Sequence, residues 1–355
     1  MIPDDVLLSF DDVLIVPGYS EMESRSYAST NIAIIKTGCG WLFAHPIISA
    51  NMETVTESDM ATAMYFSGGL GIIHRYNTID EQRKIVNITK GVIKSNYVAA
   101  TVGVKDLTER LDMLIYNGVQ IICLDVAYAY SKLVKDAVKF INSTRDMNNT
   151  LLIVGNVATY DGAKFLVDLD VDMIKVGVGS GGTCTTRIVT GVGIPQISAI
   201  MDCVHAIEGT NVKIIADGGI KNSGDIAKAL AAGAHMVMVG GLLAGCKESP
   251  GYIYENVLGD KYKVYRGMAS KDAVVQCLEK EANHVVPEGV SMMTKYSGSV
   301  NDVIYNLVGG LRSAMSYVGA ESLSQFRDKT DFIRITSNGY HEGEPHNALR
   351  SSYQR

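Results

Sequence analysis

The stretch Val212–Gly241, VKIIADGGIKNSGDIAKALAAGAHMVMVGG, holds the fold in miniature. An apolar run, Val212–Ala216, ends on Asp217, Gly218 and Gly219. A helix-like segment, Gly224–Ala232, follows, then a second run, His235–Val239, and a glycine pair, Gly240–Gly241. Neither run alternates polar with apolar as a half-exposed strand would, so each reads as a strand buried on both faces. Strand, helix and strand at this spacing predict a parallel βαβ unit.

The same unit recurs towards the N-terminus. Six further runs are Pro46–Ala50, Gly69–Ile73, Val98–Val102, Val119–Leu124, Leu151–Val154 and Met173–Val176. The helix-like segments Glu57–Phe66, Thr78–Thr89, Thr108–Tyr116, Ser131–Ile141, Gly162–Leu169 and Gln196–Ile207 lie between or after them. Eight units predict an α/β fold, a closed (β/α)8 TIM barrel, over the open doubly wound sheet that shares the pattern. The whole chain, 1–355, reads as a single barrel domain. Residues 1–45 form an N-terminal cap. Residues 246–300 form a long flap or small lobe after the eighth strand, ahead of a last helix at Val303–Val318. The tail, 336–355, has no periodicity.

Composition narrows the function classes. Hydrophobic residues are 47% and charged residues 20% of 355, enough for a large core. A net charge of −6 argues against a nucleic-acid partner, whose phosphates need clustered Lys and Arg. No apolar run is long enough to span a bilayer, and the acidic start lacks a basic signal region, so no membrane partner and a cytoplasmic setting are expected. The six cysteines form no C-x-x-C pair, and the histidines have no metal-ligand spacing.

In a barrel the chemistry gathers at the C-terminal ends of the strands. The segment Lys175–Gln196, KVGVGSGGTCTTRIVTGVGIPQ, follows the sixth run. Gly177, Gly179 and Gly182 spell G-x-G-x-x-G, but Thr183, Thr185, Thr186, Ile188 and Val189 are poor helix formers, so a dinucleotide fingerprint is disfavoured. A glycine loop presenting a nucleophilic Cys184, flanked by Thr185, Thr186 and the cation Arg187, fits better. Gly218, Gly219, Gly240 and Gly241 offer backbone N–H groups for a phosphate, with Asp217 accepting from a ribose hydroxyl. Asp125 and Asn156 face the mouth. Glu288, in VVPEGV, is a solvated loop carboxylate or a proton carrier.

Taken together, LSFDDVLIVPGYS, PIISANMETVT, GNVAT, the Cys184 loop, ADGGIKNSGDIAKALAAGAHMVMVGGLLAG, YRGMAS and GGLRSAMSYVGA resemble the IMP dehydrogenase / GMP reductase family from about residue 8 to 346. The resemblance implies that Cys184 attacks C2 of a purine nucleotide, GMP or IMP. It implies ribose and phosphate contacts from Asp217, Gly218, Gly219, Gly240, Gly241 and Tyr265. It places Asn51, Met52, Gly267, Met268, Ser270 and Gly289 with the substrate, and Arg75, Asp125 and Asn156 with the nicotinamide cofactor. Backbone carbonyls of Gly179, Gly181 and Cys184 would hold a monovalent cation, potassium, with Glu342–Glu344 of a neighbour in a homotetramer.

Within the family the chain leans to the reductases. The flap, Gly267–Gly289, contains no arginine or tyrosine, and dehydrogenases use an Arg-Tyr pair there to activate water. The regulatory insert of most dehydrogenases, between Thr89 and Val98, is missing. Asn51 is reductase-like, and Thr186 with Glu288 match the pair that protonates departing ammonia. An NADPH-dependent GMP reductase is therefore expected. The alternatives are an IMP dehydrogenase without its regulatory domain, a divergent purine-nucleotide oxidoreductase, a nucleotide-binding regulator without turnover, and a phosphate-binding barrel for another metabolite. The departures are VVPEG and HEGEPH, both spelled as in dehydrogenases, Val285 in place of an arginine, Tyr128 and Ala129 in place of Asn-Gly or His-Gly, and Arg75 in place of a lysine.

Overall fold

The computed structural model describes residues 6–36, 38–273 and 286–345. All eight expected runs are strands, here numbered β1 (Ile47–Ser49), β2 (Leu70–Ile73), β3 (Ala99–Val102), β4 (Ile121–Asp125), β5 (Leu151–Val157), β6 (Met173–Val176), β7 (Lys213–Asp217) and β8 (Met236–Val239). Each pairs in parallel with its chain neighbours, and β8 returns to β1 with Val237 opposite Ile47, so the sheet closes as a TIM barrel. The runs were legible because both faces of each strand are covered, leaving no solvent side to alternate with.

Helices cover the outside. Their starts follow capping chemistry: Thr78 accepts from Glu81 N–H while the Glu81 carboxylate accepts from Thr78 N–H, which fixes the first turn of Ile79–Val92. Six residues, 93–98, join that helix to β3. The cap is a plug. The hairpin Ile32–Ile35/Gly40–Phe43 drives Trp41 and Phe43 into the N-terminal mouth, where both are buried. Lys36 from its end reaches Asp172 at 2.7 Å, and Arg145 reaches the same carboxylate at 2.8 Å.

The excursion after β8 is a lobe: a three-stranded antiparallel sheet of Tyr254–Glu255, Lys261–Arg266 and Ser291–Lys295. The chain then returns through the helix Val300–Tyr317. Two expectations are corrected. Thr186–Thr190 forms a short helix despite its β-branched residues, closed by Gly191 at φ +73 with its N–H on the Arg187 carbonyl. The tail is not wholly aperiodic, since Ser337–Glu342 is helical. That helix buries none of its side chains, so it needs no apolar period and leaves none in the sequence. Among the described residues, no helix is long and apolar enough to cross a membrane.

Candidate active site

A cavity of about 680 Å³ opens at the C-terminal ends of the strands. Asp125 ends β4, Asn156 lies in β5, Lys175 in β6 and Asp217 ends β7, so four neighbouring strands bring their polar residues to one mouth. Two glycines permit this crowding. A Cβ on Gly155 would lie 2.4 Å from Lys175 Cβ, and one on Gly177 would lie 2.0 Å from the Asp217 carbonyl.

The nucleophile candidate sits on the rim. Cys184 Sγ is 3.1 Å from Thr186 Oγ1, and Thr186 Oγ1 donates to Glu288 Oε2 at 2.8 Å. A hydroxyl has one proton to give, and it points at Glu288, so the Cys184 thiol donates to Thr186. The arrangement is a proton path from sulfur to carboxylate. The backbone holds it together: Thr185 N–H donates to the Glu288 carbonyl at 2.8 Å, Glu288 N–H to Ala269 at 3.0 Å and Val290 N–H to Thr183 at 2.9 Å. The flap segment around Gly289 thus bridges both Cys184 and Ser270. Arg187, expected beside the thiol, instead donates to the Ile194 carbonyl and packs its stem over Gly179 and Gly193.

Lys175 Nζ meets Asp125 at 2.5 Å and Asp217 at 3.0 Å. Burial alone would push its pKa down, but the two carboxylates outweigh burial and raise it, so the lysine is charged. Asn156 Nδ2 also donates to Asp217, at 2.9 Å, and to the Gly177 carbonyl, while its buried Oδ1 has no partner. Arg75 lays Nη2 on the Asp125 carbonyl at 3.3 Å and its guanidinium over Tyr76, with Nε buried and unpartnered. Gly218, Gly219, Gly240 and Gly241 line the floor, and Tyr265 lies over Gly240 and Gly241. Burial raises the Tyr265 hydroxyl, which keeps it a neutral donor. Past Gly219 and Gly241 a second hollow of about 470 Å³ continues to the Lys221–Asp11 pair.

Met52, Gly179, Gly181, Gly267 and Met268 also line the main cavity. Three expected residues do not. Asn51 is buried with Oδ1 3.4 Å from Lys175, Ser270 is buried beneath the flap with Oγ accepting from Ala273, and Gly289 takes part in the bridges through its backbone. They support the wall rather than form it. Val285, one of the departures, and His346, the last residue of HEGEPH, lie outside the described residues; of the rest of HEGEPH, Glu342 ends the helix Ser337–Glu342 and His341 Nδ1 lies 3.6 Å from Glu344. Lys175 was missed as a site residue, although a charge inside an otherwise apolar strand demands a partner and was the available signal.

The model for the IMP dehydrogenase / GMP reductase domain matches residues 7–346. An inosine-5'-monophosphate dehydrogenase of Cryptosporidium parvum is 38% identical over 388 residues, covering 96% of this chain and 94% of its own. A GMP reductase of Buchnera aphidicola is 38% identical over 342 residues, covering 94% and 96%. A crystal structure of a GMP reductase variant from Trypanosoma brucei in complex with guanosine 5'-monophosphate matches with a TM-score of 0.88 at 28% identity, covering 98% of this chain and 99% of that one. With the family model matched over nearly its whole length, this chain belongs to the IMP dehydrogenase / GMP reductase family.

Proposed function

We propose that the chain is a GMP reductase, taking GMP, a hydride and two protons to IMP and ammonium. The observation that carries this reading is the unbroken contact Cys184–Thr186–Glu288. Cys184 gives its proton along that path and attacks C2 of the purine. The 2-amino group then needs a proton to leave as ammonia, and Glu288 returns one through the Thr186 hydroxyl. The same relay arms the nucleophile and the leaving group without preparing a water. A flap with no arginine or tyrosine supports this, since the competing dehydrogenation must hydrolyse its adduct.

Asp217 accepts from the ribose and the glycine backbone at Gly218, Gly219, Gly240 and Gly241 takes the phosphate, with Tyr265 donating over them. Met52, Gly267 and Met268 wall the base, with Asn51, Ser270 and Gly289 behind them. The unpartnered, buried Asn156 Oδ1 is an acceptor suited to a carboxamide N–H, so Asn156, Asp125 and Arg75 form the cofactor end. NADPH held there would supply the hydride that replaces the Cys184 sulfur at C2, releasing IMP and returning the thiolate. Arg75 is the one cation among the described residues lining the cavity. Gly179, Gly181 and Cys184 put three neutral carbonyls on one turn, the donor type a potassium ion takes, although the Gly181 carbonyl already accepts from Cys184 N–H. Three oxygens do not fill such a shell, and assembly as a homotetramer is the proposed source of the rest. The remaining domain features follow the same reading: one barrel, with the lobe serving as the flap's base.

The test is a pair of absorbance assays on purified protein, GMP with NADPH or NADH, and IMP with NAD and potassium. Loss of the reduced cofactor with equimolar ammonia is expected from the first. The relatives named as dehydrogenases and the VVPEG spelling favour the opposite outcome, NADH formed from IMP, which would overturn the reductase reading.

A further inference from the structure

Lys175 stands out because the chemistry above does not use it. It lies in β6 between Ile174 and Val176, and its side chain is 3% exposed. Such a group is tolerated only with compensation. The compensation is unusual in its stoichiometry: one ammonium against two carboxylates, Asp125 from β4 and Asp217 from β7. Among the described residues, the remaining neighbours bring no further cation to Nζ. Asn51 presents Oδ1 at 3.4 Å and Met238 its sulfur at 3.9 Å. Asn156 reaches Asp217 rather than the lysine, and Arg75 reaches only the main-chain oxygen of Asp125. Cys123, fully buried in β4, has its thiol pushed up to about 12 by burial and stays neutral.

We infer that Lys175 is a positioning residue that holds the carboxylate of the ribose subsite and the carboxylate of the cofactor subsite charged and fixed as one unit. The inference rests on the assignment of Asp217 to the nucleotide and Asp125 to the cofactor proposed above. Both carboxylates bond the same nitrogen, so without it they face each other across a partly buried mouth, with no other cation among the described residues bonded to both. Like charges so placed drive one carboxyl to take up a proton. A protonated Asp217 loses acceptor capacity towards the ribose, so nucleotide affinity acquires an acid limb that the native protein lacks. Removing Asp125 relieves the repulsion, although Asp125 is not on the nucleotide's side.

The experiment is calorimetric titration of GMP and IMP into the native protein, Lys175→Met, Asp125→Asn and the double variant, each at pH 6 and pH 8. Comparing every variant with the native protein at the same pH cancels the titration of the nucleotide's own phosphate. Lys175→Met is expected to weaken binding by about tenfold or more at pH 6 and by clearly less at pH 8, and Asp125→Asn added to it is expected to recover most of that loss. A loss equal at both pH values, or one that Asp125→Asn does not recover, overturns the inference. Should Lys175→Met fail to fold, the double variant decides: affinity within about threefold of Asp125→Asn alone supports the inference, and a wider gap overturns it. If the native protein binds neither GMP nor IMP, the nucleotide reading itself falls and the inference falls with it.

Discussion

Strand β6 has a charged cluster at each end, and the two are built on opposite plans. At the N-terminal end one carboxylate, Asp172, meets two cations, Lys36 and Arg145. Every group there is occupied. Asp172 also accepts from Leu152 N–H at 2.7 Å, and Arg145 donates to Thr150, Asp170 and Asn142 as well. The plug hairpin with Trp41 and Phe43 closes over it. At the C-terminal end one cation, Lys175, meets two carboxylates, and buried polar atoms of Asn156 and Arg75 have no partner. A saturated cluster stabilises; an unsaturated one beside a cavity is disposed to bind. This matches the division of labour between the bottom and top faces of such barrels.

Substitutions at the two ends should therefore fail in different ways. Cys184→Ala is expected to remove turnover by about a thousandfold or more while leaving GMP affinity and melting temperature close to native. Parallel kinetics and calorimetry would separate the two. Glu288→Gln breaks the proton path but keeps its shape, so kcat should fall by roughly 10²–10⁴-fold with little change in stability. A drop in melting temperature matching the activity loss would mean that Glu288 serves the fold instead. At the other end, Asp172→Ala leaves the buried Arg145 unpaired and should cost about 3–5 kcal/mol in urea unfolding, with KM for GMP unchanged in the folded fraction.

The smallest effect concerns pH. His45 and His235, both just ahead of strands at the N-terminal face, are held neutral by burial, with pKa values lowered to about 4 and about 3. Their folded values lie below the ordinary value of 6.5. The unfolded chain therefore binds more protons as pH drops, and stability is full above 6.5 and lost on acidification. Each histidine contributes up to about 1.4 kcal/mol per pH unit of that loss. Melting curves from pH 7 to pH 5 should show the decline, and His45→Gln should flatten it in part. An unaltered slope would assign the acid sensitivity elsewhere.

The barrel was legible because strands buried on both faces write themselves as uninterrupted apolar runs. Cys184 was legible from its glycine loop, but the pairing of Thr186 with Glu288 only through family resemblance, since 102 residues separate the two and no local pattern links them. The short helix at Thr186–Thr190 escaped because a glycine cap and the backbone ladder to the flap override weak propensity. Lys175 escaped for the opposite reason. Its strand was read as apolar, and a single charge within it was passed over, although burial makes such a residue the most constrained in the strand.

The most direct measurement is alkylation by iodoacetamide, mapped by peptide mass spectrometry with and without GMP. Burial raises the thiols of Cys123, Cys203 and Cys246, that of Cys123 to about 12 and that of Cys246 to about 11, so all three should resist the reagent. Cys184 lines the open cavity and should react, and GMP should protect it. A Cys184 that stays unmodified, or one that reacts equally with GMP present, would contradict the claim that the unsaturated end of the barrel holds a purine nucleotide against this thiol.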